Sequence, residues 1–390
     1  YQRRVRGQFM GRCCESSSNC GLKCTRLIYI MMFFVFMCVA LALLNTTFDI
    51  NNPFIKYFQQ KYTGITLMNA WSFNIRFVFS QVVYHSILLA FSLFALCPGV
   101  AIVGKCMHRG LQFIKIPLQC ALFFIFCTMK DSDLINFEYF SCVVGNIFGF
   151  FAILFVVELA YGVNKRLPEL PMVGRVFIFI LMVLLFGLGV VGYIFCYMAS
   201  SSTVVVVLVS ISAALAAICF VMSIVSKNAA VFPVSFLFLL TGLHLVFATN
   251  FAGYTTVPRW TFRTQDAVGI ASVGCSFAFL MLLVFNITEL SLAPLFNGLQ
   301  SNDVDMGAMT STDEDENPAS ADTSYHYWAF HLVMIGGYCY MGLYTCTPVF
   351  GGQALRDTYM YSTGIMQIMA GLLILWTEVW PMIAKDRVFY

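Results

Sequence analysis

A few ionisable side chains sit inside long apolar runs, and they are where this sequence could do chemistry. His85, Glu158, His244, His331 and Glu378 each lie within such a run, and Lys115 and Lys130 flank another. A charge at the centre of a bilayer costs on the order of 2.5–3.5 kcal/mol on an insertion scale, so these residues are functional candidates by default. Glu158 precedes Lys165 by seven residues, and Glu378 precedes Lys385 by the same interval, two helical turns along one face. That spacing is too long for direct contact but short enough for a hydrated link. Each acid is then either a polar helix end bonded to its neighbours or part of a polar lining for a headgroup or solute. His85 follows Gln81 by four residues and His331 follows Tyr327 by four, so each pair shares a helix face suited to an interhelical hydrogen bond. The sequence offers no Ser–His–Asp set and no His/Cys/Asp group at metal-ligand spacing, so no catalytic residue, metal or cofactor is expected and the chain is not read as an enzyme.

Three further motifs read as packing or modification. Gly187, Gly189 and Gly192 fit G-x-G-x-x-G, but that pattern binds dinucleotides only between a strand and a helix. Here it lies mid-way along an apolar run, where glycines let helices approach closely. Gly145 and Gly149 form a GxxxG of the same kind. Cys13, Cys14, Cys20 and Cys24 cluster before the first apolar run among basic residues. Their spacing is irregular for zinc, and juxtamembrane cysteines are better read as reversible acylation sites.

The elements that position these residues follow from composition. The 390-residue chain is 60% hydrophobic and only 11% charged, against about 25% charged for an ordinary soluble domain. Apolar runs fall at about 27–44, 75–97, 113–129, 140–162, 173–198, 203–226, 231–250, 267–288, 325–347 and 359–384. A bilayer span needs about 20 residues, and a lipid-exposed backbone must satisfy its hydrogen bonds within the segment. The expected fold is therefore an all-α polytopic membrane protein with about ten transmembrane helices. The first run is read as a retained anchor, because it is longer than a signal peptide's apolar region.

The net charge of +3 gives no case for a nucleic-acid partner. Its distribution orients the chain. With the N-terminus cytosolic, fifteen of the 22 Lys and Arg fall on the cytosolic side and seven outside, which favours both termini inside. The expected organisation is a basic, Cys-containing leader over 1–26, eight helices over 27–288, an acidic cytosolic loop over 289–324, and two helices with a short C-terminus over 325–390. The loop holds eight acids and no Lys or Arg, so it is expected to be disordered, either a solvated linker or a docking tail.

Three stretches resemble the serine incorporator (Serinc) family of membrane proteins. The first is the Cys-rich leader running into Cys24-Thr25-Arg26-Leu27-Ile28-Tyr29. The second runs from Gly110 through Lys115 to Asp131, then Gly145, and ends Val157-Glu158-Leu159-Ala160-Tyr161-Gly162-Val163-Asn164-Lys165-Arg166. There Glu158 stands in for an Asp of the family's motif, with Ala160 and Asn164 in register. The third comprises Asp322-Thr323-Ser324-Tyr325-His326-Tyr327-Trp328-Ala329-Phe330-His331, Leu375-Trp376-Thr377-Glu378-Val379-Trp380-Pro381 and the ending Lys385-Asp386-Arg387-Val388-Phe389. The chain looks like a divergent member: its outside loops lack the family's cysteines, and Glu378 is not part of the usual terminal motif.

The resemblance implies two helical halves bridged by one long oblique helix. From Glu138 to Arg166 alone, a helix would measure about 43 Å against a hydrocarbon core near 30 Å. It also implies lipid handling in an endomembrane or plasma membrane: ATP-independent phospholipid scrambling, support of serine incorporation into phosphatidylserine and sphingolipids, or both. Lys115, Lys130, Asp131, Glu158, Asn164, His331 and Glu378 are then the pathway candidates. Two other readings stand beside it, a structural subunit among other membrane subunits and a secondary transporter of a small polar solute.

Overall fold

A computed structural model of the chain describes residues 28–36, 38, 56–57, 61, 70–94, 112–225, 231–251, 254, 327–345 and 352–383. Its helices, after a helical stretch at 28–36, are α1 (Ala70–Leu93), α2 (Gln112–Phe126), α3 (Asp131–Arg166), α4 (Met172–Ala199), α5 (Thr203–Val225), α6 (Val231–Phe251), α7 (Tyr327–Thr345) and α8 (Gln353–Ile383). Among the described residues, six helices are long and apolar enough to cross a bilayer, and Ile114–Phe126 and Phe330–Leu343 are shorter apolar segments. The described residues are thus all-helical, and the chain is a multi-pass integral membrane protein. Of the ten expected spans, 267–288 lies outside the described residues, as do the leader at 1–26 and the acidic loop at 289–324.

The boundaries sharpen in two places. α1 begins at Ala70, five residues before the apolar run, and so takes in Ser72 and Asn74. α3 has 36 residues, about 54 Å, because Asp131, Asp133 and Glu138 are helical rather than loop. Acids in a first turn suit the positive end of the helix dipole. The helix stops at Arg166 because Pro168 has no N–H to continue the ladder; Leu167 keeps helical geometry, its N–H turns to the Asn164 carbonyl, and a 3-10 turn over Leu167–Glu169 follows.

α3 is the element around which the rest is arranged. It packs against α1 and α7 and also against α6 and α8, while α2 lies on α1, α4 lies on α6, and α5 lies chiefly on α8 and also on α6. α6 is the most enclosed of the six long apolar helices; α4 and α5 are the least, exposing Phe177, Phe179, Leu184 and Leu188 among others. In a bilayer these faces meet acyl chains.

Glycine sets the closest approaches. A Cβ on Gly189 of α4 would lie 2.5 Å from the Phe238 carbonyl carbon of α6, and one on Gly192 would lie 3.2 Å from Gly242. Gly187 meets nothing within 4 Å, so only two of the three glycines in that motif work at the contact. On α3, Gly145 faces Leu343 and the Cys339 carbonyl of α7, and Gly149 faces Tyr340 of α7 and His244 of α6.

Candidate functional site

Polar side chains recur at three levels along α3, and at each level they join α3 to other elements. At its start, Arg76 of α1 is fully buried and reaches across to Asp131. Arg76 Nη2 lies 2.6 Å from Asp131 Oδ1 and 2.7 Å from the Met129 carbonyl, while Nη1 donates to the Ser72 carbonyl at 2.7 Å. Nη1 also donates to Ser72 Oγ, which in turn donates to Asp131 Oδ1 at 3.1 Å. A buried pair breaks even against its desolvation only when hydrogen bonds satisfy the remaining groups; here the carbonyls serve both terminal nitrogens, while Nε has no partner among the described residues. Lys130 is exposed and takes the extended position before α3, with no side-chain cap.

In the middle, Asn146 of α3 donates to Ser362 Oγ at 2.8 Å and accepts from Thr363 Oγ1 at 2.9 Å, both on α8. Gly149 leaves room beside it for His244 of α6 to reach Tyr340 of α7, Nε2 to Oη 2.8 Å. Away from α3, Tyr193 of α4 bonds Thr241 of α6 at 2.6 Å and Ser212 of α5 at 3.2 Å, which ties those three helices together.

Towards the end of α3, the Tyr161 phenol donates to Glu378 Oε1 of α8. Glu378 is 5% exposed, and Asn164, one turn further along α3, is half-buried. Pairing of Asn146 with Thr363 and of Tyr161 with Glu378 makes α3 and α8 parallel. Thr363, Gln367 and Glu378 lie on one face of α8, spread over about 22 Å. Gln367 is 2% exposed, and its Oε1 accepts no hydrogen bond among the described residues. The opposite side of α8 exposes Ile365, Met369, Leu372 and Trp376.

A second buried polar group lies among α1, α2, α7 and the stretch 28–36. His331 Nδ1 faces His85 Nδ1 at 3.1 Å, an arrangement in which one ring nitrogen must donate and the other accept. Lys115 of α2, 3% exposed, holds its Nζ 5.2 Å from the centroid of the Tyr29 ring, within cation–π reach. His85 stacks on Tyr338, with centroids 5.4 Å apart.

The sequence-derived candidates therefore divide among several places. Asp131 belongs to the ion pair with Arg76. Lys115 and His331 meet in the aromatic cluster, and Glu378 and Asn164 lie at the end of the α3–α8 seam. Glu158 is in α3, but its side chain is outside the described set, as is that of Lys165. Lys385 and the four leader cysteines are outside the described residues too. Four contributors were missed: Arg76, Asn146, Tyr161 and Gln367. Arg76 could have been found from Ser72 one turn before it, had α1 been started earlier. The other three are uncharged, and a search for intramembrane charges passes over them. Among the described residues, no group of three or more His, Cys, Asp or Glu could hold a metal ion. Compared with known proteins, the chain matches no family model and no curated protein.

Proposed function

We propose that this protein handles membrane lipids passively: phospholipid headgroups move between leaflets along the α3–α8 seam without ATP, and this movement can support serine incorporation into phosphatidylserine and sphingolipids. The observation that carries the reading is Gln367. Along α8 it lies between the Asn146–Thr363 and Tyr161–Glu378 hydrogen bonds, and its buried Oε1 accepts none among the described residues. A buried amide acceptor without a partner costs several kcal/mol in an apolar medium. That cost is met when a headgroup, or the water it carries, visits the seam. The apolar residues exposed on the other side of α8 would leave the acyl chains in the bilayer meanwhile.

Three further points support the reading. The seam's polar groups cover about 22 Å of a hydrocarbon core near 30 Å. Tyr161 and Glu378 put a polar pair near the end of α3, which the distribution of Lys and Arg assigns to the cytosolic side. The sequence resembles the Serinc family over the leader, the α2–α3 region and the C-terminal helices. Purified protein in liposomes should expose inner-leaflet fluorescent phospholipid to a membrane-impermeant reductant. Exposure no faster than in protein-free vesicles would exclude scrambling.

A further inference from the structure

The geometry points to a buried water-binding site between α1 and α2, in which one water molecule bridges the side-chain amides of Gln81 and Gln119. Phe123 of α2 meets Phe73 and Phe77 of α1, with ring centroids 4.9 Å and 5.9 Å apart, and Phe126 meets Phe79 at 4.6 Å. Towards the start of α2, Lys115 lies over the Tyr29 ring, and that ring is 5.8 Å from the His85 ring. The two helices are therefore antiparallel, with the 123 end of α2 beside 73–79 and its 115 end beside 85. Gln119 is one turn from both Lys115 and Phe123, and Gln81 is one turn from both His85 and Phe77. The two glutamines thus share one level. It lies between the Phe77–Phe123 contact and the group formed by Tyr29, His85 and Lys115.

Gln81 is 1% exposed and Gln119 2%, and neither Oε1 accepts a hydrogen bond among the described residues. The two amides therefore do not bond each other, since such a bond must end on one of those oxygens. Gln81 Nε2 instead reaches Ser80 Oγ beside it, a long contact of 3.4 Å. An amide acceptor buried with no donor is costly in apolar surroundings, and two at one level call for a guest that supplies donors to both. Water carries two donor hydrogens on one small atom and is held by two to four polar partners, which this level offers. A lipid hydroxyl has a single donor hydrogen. An ammonium has enough donors but brings a positive charge within a turn of the buried Lys115. The site is separate from the α3–α8 seam and does not depend on the lipid path.

Synchrotron radiolysis of the full-length protein in nanodiscs tests this, because hydroxyl radicals formed from a bound water oxidise the side chains beside it. Phe77, 8% exposed, is one turn from Gln81; Phe238, 5% exposed, packs on Phe186 and Phe220 and serves as the dry reference. With a water held at the amides, Phe77 should oxidise about tenfold faster than Phe238, and Gln81→Leu/Gln119→Leu should bring it to within about twofold of that reference. Replacing both amides by apolar side chains removes the two unmet groups together, so the double variant should keep a thermal midpoint close to that of the wild type. Equal rates for Phe77 and Phe238 in the wild type overturn the proposal, whether the level is dry or the amides rotate to bond each other. That comparison decides even if the variant fails to fold. Fast oxidation of Phe77 that persists in a folded double variant overturns it too, since the water would then be held by other groups.

Discussion

Adding one methyl group to α4 should have opposite effects at two positions two residues apart. At Gly189, a Cβ would lie 2.5 Å from the Phe238 carbonyl carbon, 2.6 Å from its oxygen and 2.7 Å from the Leu239 nitrogen. All three are backbone atoms, so no side chain can swing aside, and ordinary contact requires α4 to move from α6 by about 1 Å. Overpacking of this kind costs about 1–3 kcal/mol. At Gly187 the added Cβ meets nothing within 4 Å, so only the backbone preference acts. Alanine there is favoured over glycine by about 0.8–1.0 kcal/mol in a helix. Gly189→Ala should therefore destabilise the protein, Gly187→Ala should stabilise it slightly, and, since the alanine preference acts at both sites, the two should differ by the overpacking cost of about 1–3 kcal/mol. Denaturation by SDS in mixed micelles, followed by circular dichroism, measures both. Because a Cβ on Gly242 would meet the Gly189 carbonyl at 2.8 Å, Gly242→Ala should resemble Gly189→Ala, and the double variant should cost less than the sum. Equal shifts at 187 and 189 would refute the close α4–α6 approach.

The remaining predictions concern the polar contacts. Asp131→Asn leaves the fully buried Arg76 charge without its carboxylate and should cost about 3 kcal/mol or more. Arg76→Met leaves a partly hydrated acid and should cost less; the reverse order in a chemical denaturation series would contradict the burial assigned to Arg76. His331→Leu orphans the buried His85 nitrogen and should cost about 1–3 kcal/mol, while the double replacement His85→Leu/His331→Leu should recover part of the loss in the same assay. Tyr340→Phe removes the hydrogen bond between its phenol and His244 Nε2 beside Gly149 and should lower stability by about 1 kcal/mol or more, read as a shift in thermal midpoint.

Much of the helical frame was legible because apolar run length is a direct readout of bilayer thickness. The runs at 113–129, 173–198, 203–226 and 231–250 correspond to α2, α4, α5 and α6 within a few residues. The frame blurred where polar residues are helical. Asp131, Asp133 and Glu138 hid the first two turns of α3, and starting α1 at 75 put Arg76 at a span end when it is buried. Pairings were the least legible part. His85 and His331 are 246 residues apart, and Asn146 and Thr363 are 217 apart, so only the packing of α1 on α7 and of α3 on α8 brings them together. Sequence spacing along one helix pointed Glu378 towards Lys385, whereas the described contact is with Tyr161 on another helix. Of the glycines read as packing positions, Gly145, Gly149, Gly189 and Gly192 do face other helices closely, whereas Gly187 does not.

The central claim is that the polar seam between α3 and α8 carries headgroups, and Gln367 is its most specific test. In liposomes, leaflet exchange of a fluorescent phospholipid should be compared for wild-type protein and Gln367→Leu at equal protein density. Leucine removes the unmet acceptor, so the variant should be at least as stable as the wild type and yet exchange lipid about tenfold more slowly. Wild-type exchange no faster than in empty vesicles, or equal exchange by a stable Gln367→Leu, would contradict the account.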